Sequence, residues 1–412
     1  MLKCNGYMGR IGLIDLSGET ISVYPWGEQG RYLGGKILNQ RILLDLLTGR
    51  ETAFSEENPI ILSAGPLTGT GAPGSMRFDI ASLSPKDDRP AFSNCGGHFG
   101  LYMKKAGYDA LILTGRCGEK RWLEINGDEI LFHDAAELWG SKVSECQELL
   151  AHRLGNQRCG TLCIGPAGEK LVKFATVIAD GHSTGRAGIG AVLGWKNLKA
   201  VTVTGRREIP LFDPEGAAAF VRDWNASLKL HGQMTGSVSG KQLCSGCPLH
   251  CARHQREDNG LLNELGLDAI AAADALRWAQ EQGFVAPELY EDIAYRRGIG
   301  QKLADGIPTC KGKGGNRRGG SHRAIAAAFH LIPDSPETNR FCKNLTEAIS
   351  AAGQCMFTVN GLNAQAEDNG ALPVVKMLHL VTGMELDLEK LLEIGSRSQE
   401  LEQQLHRKEI AP

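Results

Sequence analysis

Short apolar runs closed by glycine fill the first half of the chain, and longer stripes at helical spacing fill the second. Ile60-Ile61-Leu62-Ser63-Ala64, Ala110-Leu111-Ile112-Leu113-Thr114 and Ala200-Val201-Thr202-Val203-Thr204 are near-continuous apolar segments of strand length. Such segments predict strands buried on both faces. Arg10 to Val23 turns about Ser17-Gly18 and predicts a hairpin. The period changes at about Gly205–Leu211. Asp213-Pro214-Glu215 then supplies an N-cap, a helix-starting proline and a first-turn acid. Leu267 to Gln282 is alanine-rich with an apolar face that Gly283 stops, and Leu388, Leu391, Leu392, Leu401 and Leu405 form a helical stripe. The predicted class is α+β, with a β-rich domain over residues 1–208 and a mostly α-helical region over 209–412. Cys310–Gly320 is a glycine- and base-rich loop without periodicity. No internal repeat is visible beyond one weak echo, described below.

Charge narrows the function classes. With 45 Lys+Arg against 47 Asp+Glu in 412 residues, the chain lacks the basic field that nucleic acid requires as a main partner. No apolar run is long enough to span a bilayer, and Met1-Leu2-Lys3-Cys4-Asn5-Gly6 has no apolar signal core. A cytoplasmic protein is expected, in which cysteines are reduced or metal-bound.

The 12 cysteines divide on that basis. Cys244, Cys247 and Cys251 stand at C-x2-C-x3-C, three thiolates that suit zinc or an iron–sulfur cluster. Either centre usually takes four ligands, so a fourth is expected elsewhere. Cys4, Cys95, Cys117, Cys146, Cys159, Cys163 and Cys310 show no ligand spacing and read as small buried hydrophobes.

Glycine, 52 residues in all, concentrates in three loops of the first half. These are Leu33-Gly34-Gly35-Lys36; Gly65 to Arg77 continued by Ser93-Asn94-Cys95-Gly96-Gly97-His98-Phe99-Gly100; and Gly181 to Ala191. Unhindered backbone N–H groups there would cradle an anion, with Arg77 and Arg186 adding bidentate phosphate contacts. Tight turns explain any single loop equally well. No Gly-Lys-Ser/Thr follows, and Leu193 occupies the third-glycine position of G-x-G-x-x-G, so neither a P-loop nor a dinucleotide fingerprint is present.

Taken in order, these motifs are similar to the N-terminal domain of the aldehyde:ferredoxin oxidoreductase family, tungsten or molybdenum enzymes with a bis-pyranopterin. The resemblance is carried by Leu33-Gly34-Gly35, Ala64-Gly65-Pro66-Leu67-Thr68-Gly69-Thr70, Ser93-Asn94-Cys95-Gly96-Gly97, Lys105-Ala106-Gly107-Tyr108-Asp109, Ile164-Gly165-Pro166-Ala167-Gly168-Glu169, Gly185 to Gly194 and Lys196 to Val201. It implies a pterin-binding first domain. Arg77 and Arg186 would hold the pterin, with Arg77 also towards a [4Fe-4S] cluster. The backbone carbonyls of Asn94 and Ala187 would ligate Mg2+ bridging the pterin phosphates. Cys244, Cys247 and Cys251 match the clustered cluster ligands, and Cys355 the distant fourth, within Ser350-Ala351-Ala352-Gly353-Gln354-Cys355-Met356-Phe357. The echo is Asn263-Glu264-Leu265-Gly266-Leu267-Asp268. Asn263 and Ser350 replace the aspartates with which the family contacts pterin, and both accept hydrogen bonds less strongly than a carboxylate.

The chain is much shorter than the family pattern. Only eleven residues separate Cys251 from Asn263, and a glutamate-bearing segment is missing there. Glu257 and Glu264 are the nearest carboxylates and read as surface or first-turn groups. His322, in Asn316 to Ala324, is the remaining candidate for the substrate-side histidine; His182, His250 and His254 read as polar loop residues. The resemblance implies oxidation of a small aldehyde to a carboxylate, with electrons leaving through the cluster to ferredoxin or another electron-transfer protein. The shortening implies an alternative, a degenerate paralogue acting as an electron-transfer or assembly subunit. A plain zinc module explains the cysteines and none of the glycine loops. Assembly as a homo-oligomer is compatible with all three.

Overall fold

The computed structural model describes residues 4–185, 187–231, 257–284, 288–306, 325–326, 329, 331–356, 358 and 372–410. The first half holds two six-stranded sheets. The hairpin about Ser17-Gly18 forms as β1 (Ile11–Asp15) and β2 (Thr20–Tyr24). The first sheet is completed by β3 (Ile60–Ala64), β4 (Phe78–Leu83), β5 (Pro90–Cys95) and β6 (Ala110–Thr114), in the order β2-β1-β6-β3-β4-β5. The continuous apolar run of β3 is buried at every position, as its lack of alternation requires. The second sheet contains β7 (Arg121–Asn126), β8 (Glu129–Asp134), β9 (Gly160–Ile164), β10 (Val177–Ala179), β11 (His182–Ser183) and β12 (Leu198–Thr204).

Read from its other edge, the second sheet runs β8-β7-β12-β9-β10-β11. That is the order of the first sheet with each strand advanced by six. Orientations agree as well: β1 with β6 and β7 with β12 are the two parallel pairs, and all other neighbours are antiparallel. Helices fall at matching places. α1 (Gln29–Tyr32) and α2 (Gly35–Leu46) precede β3, and α3 (Phe99–Ala106) precedes β6. In the second half α4 (Val143–Arg153) precedes β9, the short α5 (Pro166–Glu169) follows it, and α6 (Ile189–Trp195) precedes β12. The first half is thus a duplicated unit. This corrects the expectation of no repeat beyond the echo: hydrophobic spacing records where strands lie, not their order in a sheet.

The halves meet where β5 and β11 approach. Asp180, between β10 and β11, accepts from the backbone N–H groups of His98 and Phe99 at the start of α3 (2.6 and 2.8 Å) and from Thr161 on β9 (2.8 Å). His182 lies on β11, its Nδ1 paired with the Asp180 carbonyl. One apolar core joins both sheets, from Ile11 and Ile61 to Leu162 and Val201, each buried side chain contributing about 2 kcal/mol.

Among the described residues, the helical half divides between two cores. α7 (Pro214–His231), α12 (Pro336–Ala351), α13 (Leu372–Thr382) and α14 (Leu388–Ile410) pack with Tyr32, Leu33, Ile37, Leu67 and Ala72 of the first unit. α8 (Glu257–Leu265), α9 (Ala269–Glu281), α10 (Leu289–Tyr295) and α11 (Gly300–Leu303) pack with Ala167, Val172, Ala175 and Ala191 of the second. Ser335-Pro336-Glu337 starts α12 by the device of Asp213-Pro214-Glu215: the Ser335 hydroxyl accepts from the Thr338 N–H at 3.1 Å. None of the helices among the described residues is long and apolar enough to cross a membrane.

Candidate cofactor and cluster site

The echo seen in sequence is one backbone device used twice. α12 and α8 both end on a left-handed glycine, Gly353 (φ +83°) and Gly266 (φ +71°). In one, the N–H groups of Gly353 and Gln354 donate to the carbonyls of Ser350 and Ile349 (2.9 and 3.1 Å). In the other, Gly266 and Leu267 donate to Asn263 and Leu262 (3.1 and 2.8 Å). This is the Schellman termination, and it requires a residue without Cβ at the left-handed position. Each terminus docks on the equivalent Gly-Pro turn of one sheet unit. A Cβ on Gly65 would stand 2.1 Å from the Ala352 carbonyl carbon, and one on Gly165 would stand 2.6 Å from that of Leu265.

At the first unit this docking assembles the predicted residues. The loop from Gly65 to Arg77 wraps the segment after Gly353, with Leu67 N–H on the Ala352 carbonyl (2.9 Å) and Cys355 N–H on the Gly74 carbonyl (3.0 Å). Arg77 Nη2 then donates to Cys355 Sγ at 3.2 Å, joining residues 278 apart in sequence. Cys355 is 7% exposed. Asn94 and Ser350 are also brought together: Asn94 Nδ2 donates to Ser350 Oγ at 3.2 Å.

Between them lies Asp79, which sequence reasoning missed. It is 2% exposed on β4 and accepts from Asn94 Nδ2 at 3.0 Å and from Ser350 Oγ at 3.4 Å. The signal was a lone acid inside Phe78-Asp79-Ile80-Ala81-Ser82-Leu83, all of it buried. Burial pushes its carboxyl up to about 7; Glu347 adds to the rise, whereas the Asn94 hydrogen bond, Lys36 and Ser350 oppose it. Lys36 itself ties α2 to α12 and α14 through Glu347 and Glu402, both at 2.8 Å.

The sign of the Asp79 shift gives a test in the cofactor-free chain. Between pH 4 and 7 the native carboxyl holds a proton that the unfolded chain has lost, so this contribution is complete below about pH 4 and gone above about pH 7. Asp79→Asn is therefore expected to be more stable than the parent at pH 8, by up to about 4 kcal/mol, and equal to it near pH 4. Urea midpoints measured across that range check this.

The other predicted residues are placed as follows. Strand register makes Thr176, Ile178 and Ser183 the counterparts of Arg77, Asp79 and Asn94, and Asp268 the counterpart of Cys355. Asp268 caps α9, accepting from Ile270 and Ala271. Asn263 is half-buried at the end of α8, and Glu264 binds the N–H and hydroxyl of Ser144 (2.9 and 2.8 Å), the surface role expected of it. Ala187, 7% exposed, directly precedes the left-handed Gly188 at the start of α6. Arg186, Cys244, Cys247, Cys251, His250, His254, Cys310 and His322 lie outside the described residues. Of the remaining cysteines, Cys95, Cys117, Cys146 and Cys163 are buried, and Cys4 and Cys159 are half-buried.

The glycine loops separate into two kinds. Gly34, Gly35 and Gly65 exist for close packing: a Cβ on Gly34 would stand 2.2 Å from the Ala64 carbonyl oxygen. Among the described residues, Gly71 (φ +86°) has nothing within 4 Å of such a position, and Gly185 (φ +90°) only Ser93 Oγ at 3.8 Å. These two present open backbone.

Known proteins resemble the chain in sequence and in fold. Residues 11–205 match the family described as Aldehyde ferredoxin oxidoreductase, N-terminal domain. The chain is 27% identical to a tungsten-containing aldehyde ferredoxin oxidoreductase of Pyrococcus furiosus over 534 aligned positions, covering 95% of this chain and 87% of the relative. The corresponding protein of Thermococcus kodakarensis is 26% identical with the same coverage. A Pyrococcus furiosus protein named Aliphatic sulfonate oxidoreductase, WOR-like subunit, is 30% identical over 237 residues, 53% of this chain and 38% of that one. In fold the chain is similar to the active site complex BamBC of benzoyl coenzyme A reductase, with TM-score 0.79, 21% identity and coverage of 98% of this chain and 90% of that one. An alignment of 534 positions for a chain of 412 residues places gaps inside this chain. The chain carries an aldehyde ferredoxin oxidoreductase N-terminal domain over residues 11–205 and is similar along 95% of its length to tungsten-containing aldehyde ferredoxin oxidoreductases, as an internally shortened relative of them.

Proposed function

We propose that the chain is an oxidoreductase that holds a tungsten or molybdenum bis-pyranopterin beside a [4Fe-4S] cluster and oxidises an aldehyde to a carboxylate. The observation that carries this reading is the Arg77–Cys355 contact, which sets a guanidinium against a buried thiol at the edge of a glycine loop with open backbone. The residues present fit such groups. Cys355 would complete the cluster with Cys244, Cys247 and Cys251. Arg77 and Arg186 would bind pterin, Asn263 and Ser350 would contact its rings, and the carbonyls of Asn94 and Ala187 would take Mg2+, a hard cation that prefers oxygen.

When bound, the metal–pterin supplies a two-electron redox centre and a Lewis acid. Arg77 would neutralise charge on the cluster side and hold the pterin in place, and the buried Cys355 would keep that cluster edge away from water. His322 is the candidate for moving a proton at the substrate. Electrons would pass to ferredoxin or another cytoplasmic carrier.

A second reading rests on the internal gaps of the alignment. A chain shortened within its helical half, yet complete in its cofactor-facing loops, fits an electron-transfer or assembly subunit. Metal analysis of anaerobically purified protein, combined with aldehyde-dependent viologen reduction, separates the two. Four irons with tungsten or molybdenum and aldehyde-dependent turnover are expected. Iron without tungsten or molybdenum would sink the catalytic reading and favour the second; zinc alone would sink both.

A further inference from the structure

The hydrogen inventory around Asp79 has a direction. Asn94 Nδ2 carries two hydrogens, one directed at Asp79 Oδ2 (3.0 Å) and one at Ser350 Oγ (3.2 Å). The single Ser350 hydroxyl hydrogen turns to the Asp79 carboxyl (3.4 Å). Asp79 serves both neighbours as acceptor, from Asn94 Nδ2 and from the Ser350 hydroxyl, and so fixes which way the amide faces. Every donor of the trio is then spent inward. Among the described residues, what remains outward is the Asn94 side-chain carbonyl and a lone pair on Ser350 Oγ. Asn94 is exposed and Ser350 only half-buried, so both are within reach of a ligand. Gly35 closes the other side of Asp79: a Cβ there would stand 2.7 Å from Oδ2.

We propose that Asp79 is a positioning residue that turns Asn94 and Ser350 into paired acceptors for the N–H edge of a pterin-like heterocycle. This rests on the pterin reading above. The buried carboxyl acts through its two neighbours, which lie 256 residues apart in sequence, and by engaging the Ser350 hydroxyl hydrogen leaves that oxygen only accepting capacity towards a ligand. In Asp79→Asn the new amide offers hydrogens of its own, Asn94 is released to flip, and the outward face becomes part donor.

The test is the release rate of pterin from anaerobically purified holoprotein, followed as its fluorescent oxidised derivative, with iron content measured in parallel. Asp79→Asn is expected to release pterin about tenfold faster with iron unchanged, the loss of roughly one charge-assisted hydrogen bond. Asp79→Asn combined with Ser350→Asp returns a carboxylate acceptor to the same trio and is expected to restore slow release. Unchanged release in Asp79→Asn overturns this assignment alone. Faster release that the double variant fails to rescue reduces Asp79 to a packing role and also overturns it. Wild-type protein that carries iron but no pterin overturns the pterin reading and this inference together.

Discussion

Anaerobically purified Cys355→Ala is expected to lose its cluster outright, with iron falling from about four per chain to less than one and the reduced-cluster EPR signal absent. The fold should survive. Cys355 is held by its backbone, through the Gly74 carbonyl, as much as by its sulfur, and removing one buried sulfur atom costs about 1 kcal/mol. Cys342→Ala is the control. That thiol is also buried, in the core shared by α7 and α12–α14, and the variant should keep full iron while losing similar stability. Iron retained in Cys355→Ala would remove Cys355 from the ligand set and leave Arg77 with a structural contact only.

The second large effect is expected at Gly65. Its φ is ordinary, so alanine there is not a torsional problem; it is a collision. The new methyl would meet the Ala352 carbonyl carbon at 2.1 Å and the Gly353 nitrogen at 2.3 Å, backbone atoms that cannot swing aside. Gly65→Ala should lower stability by about 3 kcal/mol or more in denaturant titrations and loosen the Arg77–Cys355 contact with it. Gly71→Ala meets no atom of the described residues but must adopt φ +86°, and about 1 kcal/mol is expected. Equal losses for the two would show that the docking at Gly65 is not tight.

The contrast explains what the sequence disclosed. The strands at Ile60, Ala110 and Leu198 and the helices from Pro214 and Leu388 carry their period in adjacent residues and are legible locally. The pairing of Arg77 with Cys355 was accessible only through family resemblance, since no local pattern joins positions 278 apart. The duplication was invisible because its halves share topology and not side chains: Arg77 answers to Thr176, Asp79 to Ile178 and Cys355 to Asp268. Asp79 went unnoticed because one acid in a strand marks a polar face as readily as a buried site. At Gly34 and Gly65 the structure shows a further reason for glycine, close contact between backbones.

The two docked helix ends bear on how this chain tolerated being cut down. One helical group is fastened to its own sheet unit at Gly165, the other at Gly65, and neither fastening borrows residues from the other. The segment between Cys251 and Asn263, where the family pattern is shortened, leads into α8 and ends before Gly266, the glycine that closes that helix. Loss of length there changes what hangs between two rivets while each rivet stays whole. Length can therefore be lost there with the Arg77–Cys355 corner still standing.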